Sequence, residues 1–336
     1  MPSGLARTTE IQHPVGFRVR TPLLVPSFSS KGFGRRQDGC SEIGAIFTAA
    51  KEVITDSMLV SAFDLHHGNL ILPDSSVAEI TFVDSGGYET SDQQDLSSAY
   101  AYRMETGEWN EQLHQQTLDN WPAEVAAIFV SYDRANRLIR EQIARAVELT
   151  ERYPAQLHAF LAKPESGDSV VNVGAIISEA RTLARFHVLG VTEKEIGDSF
   201  VVRMKTIATL RKNMDAQGLR QMPIHVFGSL DPMSVCLYFI AGAEIFDGLT
   251  WLRYAYVEDS AMYRQNGAIL HEEQLTQKDS RVRAWAMTQN IGQLEALTNK
   301  MRRFLNERDF TVFPRDGTWL RRAKELLRAE FGGEDL

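Results

Sequence analysis

Three aspartates stand where chemistry tends to be concentrated: Asp84 in Asp84-Ser85-Gly86-Gly87-Tyr88, Asp133 in Ser131-Tyr132-Asp133, and Asp247 in Phe246-Asp247-Gly248. Each closes a short aliphatic, β-branched or aromatic run that reads as a strand. Carboxylates brought to one face repel each other, so a purely structural scheme avoids or neutralises them; a retained set points to a reaction using carboxylates in separate roles. A single strand-end Asp is more often a helix N-cap than a catalyst, and three together weaken that alternative.

Gly86 and Gly87 allow a tight turn that brings backbone close to a ligand and leaves amide hydrogens for an oxygen or anion. Tyr88, directly behind them, has a flat face that can lie against a heteroaromatic ring, and Phe227 from another strand supplies a second. Both aromatics suit an ordinary core equally well, and that alternative stays open here.

Eight short apolar runs recur along the chain: Leu23 to Pro26, Met58 to Phe63, Ile80 to Asp84, Ala127 to Asp133, Leu157 to Ala162, Phe186 to Gly190, Ile224 to Gly228, and Glu244 to Asp247. Between them, Arg137 to Arg152, Val171 to Ala184, Asp198 to Met214 and Pro232 to Ala241 carry apolar residues at helical spacing. This alternation predicts an α/β chain folded as a (β/α)8 barrel over residues 1–260. Arg281 to Phe304 and Trp319 to Phe331 read as amphipathic helices of a C-terminal appendage, residues 261–336, packed on the barrel. The C-terminal strand ends of such a barrel converge on one face, where the three Asp, Phe227 and Gly228 fall. The connections Gly87 to Trp121 and Tyr256 to Gln274 exceed what a simple link needs, which suits a lid, a binding ridge or an insertion with its own short helix.

The net charge of −8 over 336 residues excludes a protein that coats nucleic acid through a broad basic surface. A local basic face remains open: Arg134, Arg137 and Arg140 follow the fourth strand and could guide a phosphate backbone, although each also suits a solvated helix surface. No run is long enough to span a bilayer, and Met1 to Gln12 lacks a secretory core, so a cytoplasmic protein without membrane association is expected. Two cysteines, Cys40 and Cys236, provide neither a disulfide framework nor a Cys-rich metal site.

On these residues the chain resembles the tRNA-guanine transglycosylases, the queuine and archaeosine base-exchange enzymes, from about Thr21 to Arg253. Thr21 to Pro26 looks like the family's opening strand, and Asp84 to Tyr88 matches its most specific motif, Asp-Ser-Gly-Gly-Phe/Tyr. Asp133, Leu189-Gly190-Val191, Glu195, Gly228, Phe246-Asp247 and Arg253 fall at the family's spacing. The resemblance implies that Asp247 attacks C1′ of the target nucleoside and that Asp84 handles the proton of the departing or arriving base. It also implies that Asp133 pairs with the purine's polar edge, that Tyr88 and Phe227 sandwich the ring, and that Gly190 offers backbone hydrogen bonds to a base carbonyl. Ser85, Gly86, Gly87 and Gly228 complete the implied substrate site, with Arg253, Arg134 and Arg137 toward the nucleic acid. No cofactor is implied, because the covalent intermediate keeps the glycosidic bond energy.

Two departures from the family pattern stand out. The three Cys and one His that hold a structural zinc after the nucleophile strand are missing, with His271 the lone candidate ligand, so no metal site is expected. The family's Gln-Gln-Gly is replaced by Ala162-Lys163-Pro164, where Lys163 can donate to a base carbonyl or bind a carboxylate. The missing zinc set, and no appended RNA-binding domain, favour the divergent DpdA-like branch that inserts 7-cyano-7-deazaguanine into DNA. The expected partners are therefore a nucleic acid, DNA favoured over tRNA, and a 7-deazaguanine base. A homodimer or companion modification proteins are compatible with the same reading. The alternatives are a zinc-free tRNA enzyme, a non-catalytic nucleic-acid-binding subunit and an unrelated two-carboxylate hydrolase.

Overall fold

The computed structural model describes residues 4–74, 77–90 and 107–333. Eight parallel strands close into a barrel. They are β1 (Leu23–Phe28), β2 (Ser57–Ser61), β3 (Ile80–Asp84), β4 (Ala127–Val130), β5 (Leu157–Ala162), β6 (Val188–Thr192), β7 (Ile224–Phe227) and β8 (Ile245–Gly248). Closure is made by β8 against β1, with Ile245 opposite Leu23 and Asp247 opposite Val25. Each of the eight expected runs supplies one strand, so the expected (β/α)8 barrel is the fold.

Helices follow the strands in turn: α1 (Glu42–Ala50), α2 (Ala62–His66), α3 (Glu111–Asp119), α4 (Ile139–Arg152), α5 (Val173–Ser178), α6 (Phe200–Ala216) and α7 (Pro232–Ile240). After β8 come α8 (Asp279–Glu307) and α9 (Thr318–Glu330). Local chemistry sets several starts. Asp231 caps α7 by accepting from the amides of Met233 and Ser234, with Pro232 at the first helical position. Asn110 caps α3 through the Leu113 amide.

Side chains alternate along every strand. Leu24, Val60, Val83, Phe129, Phe160, Leu189, Val226 and Phe246 face the helices, in the outer apolar layer. Val25, Leu59, Phe82, Ile128, Val130, Leu161, Val188 and Ile245 fill the barrel interior. Ile11 and Val19, from an antiparallel hairpin of Glu10–Gln12 with Arg18–Arg20, join that interior cluster. The hairpin continues into His13, whose ring contacts the amide of Ala127, the first residue of β4. It therefore plugs the end where strands begin and leaves the end where they finish as the mouth.

The C-terminal helices bind tightly to this body. α8 packs on β1 and α7, the place of an eighth barrel helix, while α9 packs on α6 and α7. The connection from Tyr256 to Gln274 holds a second hairpin, Ala255–Val257 with Ser260–Met262, and a short helix, Arg264–Ile269. Much of the other long connection, residues 91–106, lies outside the described residues. Among the described residues no helix is long and apolar enough to cross a membrane.

Candidate functional site

A cavity of about 230 Å³ opens at the strand-end mouth. Its walls continue the inward-facing alternation past the apolar layers: Ser27 follows Val25, Ser61 follows Leu59, Asp84 follows Phe82, Lys163 follows Leu161, and Asp247 follows Ile245. Six acidic and three basic residues line it. Such an excess of negative charge favours protonated acids and donor-rich ligands within, and leaves a phosphate group to the rim.

Asp247 is held from three sides. Ser27 Oγ donates to its Oδ2 at 2.7 Å, while His225 Nε2, at 3.0 Å, and the Gly228 amide, at 3.3 Å, donate to Oδ1. His225 is fully buried, stacked on Phe227 at 3.7 Å and edge-on to Phe82 at 5.2 Å. That packing fixes the ring, and the ring fixes the carboxylate. Gly228 has φ +78°, a conformation that turns its amide toward Asp247 and that a side chain would strain.

Asp84 lines the same cavity in a different setting. Its Oδ2 accepts a 3.4 Å contact from the Gly86 amide. Burial, followed by the charges of Asp133 and Asp247, pushes its carboxyl up to about 7. None of the three aspartates caps a helix of the barrel, so the N-cap alternative gives way to a shared cavity.

Beside Asp84 sits Glu89, which is buried, lines the cavity and has no partner for Oε2 among the described residues. Burial first, then Asp64 and Asp84, push its carboxyl up to about 8. A folded-state pKa raised above the unfolded value of 4.5 stabilises the fold below about pH 4.5, and this contribution is lost as pH rises through about 8. Glu89→Gln, which cannot ionise, is expected to raise Tm by several degrees near pH 9 and scarcely at all near pH 4. Thermal denaturation across that range checks it, and a gain independent of pH would contradict it.

Asp133 stands three residues past the end of β4, in the loop, and is tethered there. Ser85 Oγ donates to its Oδ1 at 2.7 Å, and Lys163 Nζ lies 3.4 Å from Oδ2. Lys163 also contacts Glu195 Oε1 at 2.9 Å and donates to Thr192 Oγ1 at 3.3 Å. Burial alone would lower the Lys163 pKa, but Asp133 and Glu195 outweigh it and the net direction is upward. Of the two roles open to it in the sequence, Lys163 takes that of binding carboxylates, at a position on the cavity wall.

Several expected ligand contacts are structural instead. Ser85 is buried and outside the cavity wall, where it orients Asp133 and accepts from the Gly87 amide. Gly86, at φ +82°, leaves room for Phe63 and Trp109, and Trp109 Nε1 donates to the Ser85 carbonyl at 2.9 Å. Gly87 lines the cavity, but the close approach it allows is that of the Asp133 carboxylate. Gly190 is not among the residues that line the cavity: it pairs with both Leu161 and His225, and a Cβ there would lie 2.6 Å from the Phe227 ring. Its small size makes space for Phe227.

Tyr88 and Phe227 both line the cavity, each with one face taken. The Lys31 ammonium lies 4.2 Å from the Tyr88 ring centre, and His225 covers one side of Phe227. Arg253 is at the rim, where its guanidinium donates to the Lys31 carbonyl at 3.0 Å. Trp251, fully buried with Nε1 bonded to the Ser27 carbonyl, anchors the turn that carries it. Arg134 is not there: it is ion-paired with Glu111 beside a separate crevice between α3 and α4. Arg137 is exposed on the loop leading into α4 and does not line the cavity.

Sequence reasoning overlooked His225, Ser27 and Glu89. The first two share inward parity with Phe227 and Val25, so alternation alone marks them; Glu89, in a short helical turn after Tyr88, carries no such mark. Fold and site together define a (β/α)8 barrel with a carboxylate-rich cavity at its mouth. No protein-family model matches the chain, and no curated protein matches it either.

Proposed function

We propose that this chain exchanges guanine in a nucleic acid, DNA in preference to tRNA, for a 7-deazaguanine such as 7-cyano-7-deazaguanine. The observation that carries the reading is one cavity holding two carboxyl groups in contrasting settings. Asp247 is oriented by three donors, whereas Asp84 is raised to about 7. Two carboxyls whose surroundings differ in this way suit a nucleophile paired with an acid/base group.

In the first displacement the C1′–N9 bond breaks, a C1′–O bond to Asp247 forms, and Asp84 gives its proton to the departing guanine. In the second, Asp84 takes the N9 proton of the arriving base, N9 attacks C1′, and the ester to Asp247 breaks. Atoms, charge and sugar configuration balance with no cofactor. Asp133 receives the donor edge of the ring, Tyr88 and Phe227 bracket it, and Arg253 meets a phosphate at the rim. Removing the target nucleotide from its stack costs a few kcal/mol, which stacking in the cavity offsets.

Preference for DNA rests on the stretch after Asp247, where no cysteine remains for the tRNA family's zinc unit. Incubation with labelled guanine or 7-cyano-7-deazaguanine, and either duplex DNA or tRNA, tests the proposal. Label is expected in DNA. Label entering only tRNA shifts the substrate to the zinc-free tRNA alternative, and free guanine released without incorporation overturns base exchange.

A further inference from the structure

Trp109 stands just before α3, half-buried and outside the cavity wall, and its indole reaches back to the turn that follows Asp84. There Nε1 donates to the Ser85 carbonyl at 2.9 Å. A Cβ on Gly86 would fall 2.8 Å from Nε1 and 3.0 Å from Cε2, so the indole occupies the space that this glycine leaves. The ring is itself fixed by other rings: Phe63 edge-on at 5.7 Å, His66 at 5.6 Å and His114 at 6.3 Å. Two residues on, Glu111 is ion-paired with Arg134, the neighbour of Asp133. One short stretch therefore grips both of the loops that carry Asp84 and Asp133.

Ser85 joins those loops. Trp109 holds its carbonyl, while its hydroxyl donates to Asp133 Oδ1 at 2.7 Å. The two glycines behind it give the turn a wide choice of backbone conformations, so a fixed external donor is needed to select one. Gly86 is also the residue whose amide contacts Asp84 Oδ2. We propose that Trp109 is a positioning residue, its indole N–H fixing the Ser85 peptide and through it the place of the Asp133 carboxylate beside Asp84, an inference that rests on the base-exchange reading above. An apolar ring of the same size would fill the same space without supplying that donor.

Replacing Trp109 in the full chain with 3-benzothienylalanine, which keeps the bicyclic ring and puts sulfur in place of the N–H, isolates the donor. Two readouts are taken on the polymer that wild type labels: single-turnover entry of labelled guanine, and competition of that label by hypoxanthine, which lacks the 2-amino donor of guanine. Entry is expected to slow about 10- to 100-fold, with Tm within a few degrees of wild type. The disadvantage of hypoxanthine should shrink at least about tenfold, since Asp133 receives the donor edge of the base. Ser85→Ala, which leaves the indole packing in place, should shrink it as far, and the two changes combined should shrink it no further than Ser85→Ala alone. A filler role for Trp109 predicts slower entry and lower Tm at an unchanged hypoxanthine ratio, and that result overturns the proposal. An unchanged ratio in Ser85→Ala overturns it equally, even where the Trp109 variant does not fold. A wild-type chain that labels neither DNA nor tRNA overturns the base-exchange reading instead.

Discussion

Asp247→Asn is expected to lower base exchange by on the order of 10⁴-fold or more, the scale seen when a nucleophile acting within a concerted set is removed. The loss should fall on the chemical step. An Asn side chain keeps an oxygen for the His225 and Gly228 donors, and its amide can face the Ser27 hydroxyl, so the local hydrogen bonds are retained in kind. Folding should therefore survive, with Tm within a few degrees of wild type, and polymer binding should persist. Label incorporation under single-turnover conditions, read beside a melting curve, separates this from a structural defect: parallel loss of stability and activity would count against the nucleophile role.

Asp84→Asn should cost about 10³-fold in exchange, within the range of a general acid/base. Its pH signature is more telling than its size. With a carboxyl at about 7, wild-type Asp84 holds its proton below neutrality, and release of guanine should fall away above about pH 7. The variant should lose that limb. Stability should move the other way: a pKa raised above the unfolded value of 3.8 stabilises below about pH 4 and is lost as pH rises through about 7. Asp84→Asn should thus gain Tm over wild type above neutrality, by relieving repulsion from Asp133 and Asp247. A variant that is both inactive and less stable at about pH 8 would assign Asp84 to structure.

The barrel was legible because its strands are short apolar runs and its major helices keep a 3.6-residue period. Elements with too few apolar residues to make a period were not. In the N-terminal hairpin only Ile11 and Val19 are buried, each between exposed neighbours, so three-residue strands left no pattern to read. The expected helix from Val171 to Ala184 divides at Glu179, whose ψ of 16° departs from helical geometry.

Within the site, Asp84, Asp247 and Lys163 were found because strand ends in a barrel share one face. Ser85, Gly86 and Gly190 lie off the cavity wall for a common reason: a motif fixes which residues are present, while the direction each one faces depends on neighbours distant in sequence. Ser85 meets Asp133, Gly86 meets Trp109, and Gly190 meets Phe227. Arg134 pairs instead with Glu111, which lies inside the long connection before β4 and gave no sign of that pairing in the sequence. His225 is the reverse case, a residue of evident consequence for Asp247 whose inward parity was available in Ile224-His225-Val226-Phe227.

The central claim is that Asp247 and the sugar become covalently joined. Wild-type protein incubated with guanine-containing duplex DNA, or with tRNA, without an incoming base and quenched in denaturant, should yield a protein–nucleic acid species. Peptide mass mapping should place the added sugar, linked through C1′ and lacking its guanine, on Asp247, and the species should vanish on adding excess 7-cyano-7-deazaguanine or in Asp247→Asn. An adduct on any other residue, or base exchange at full rate through a protein that never forms one, would contradict the account.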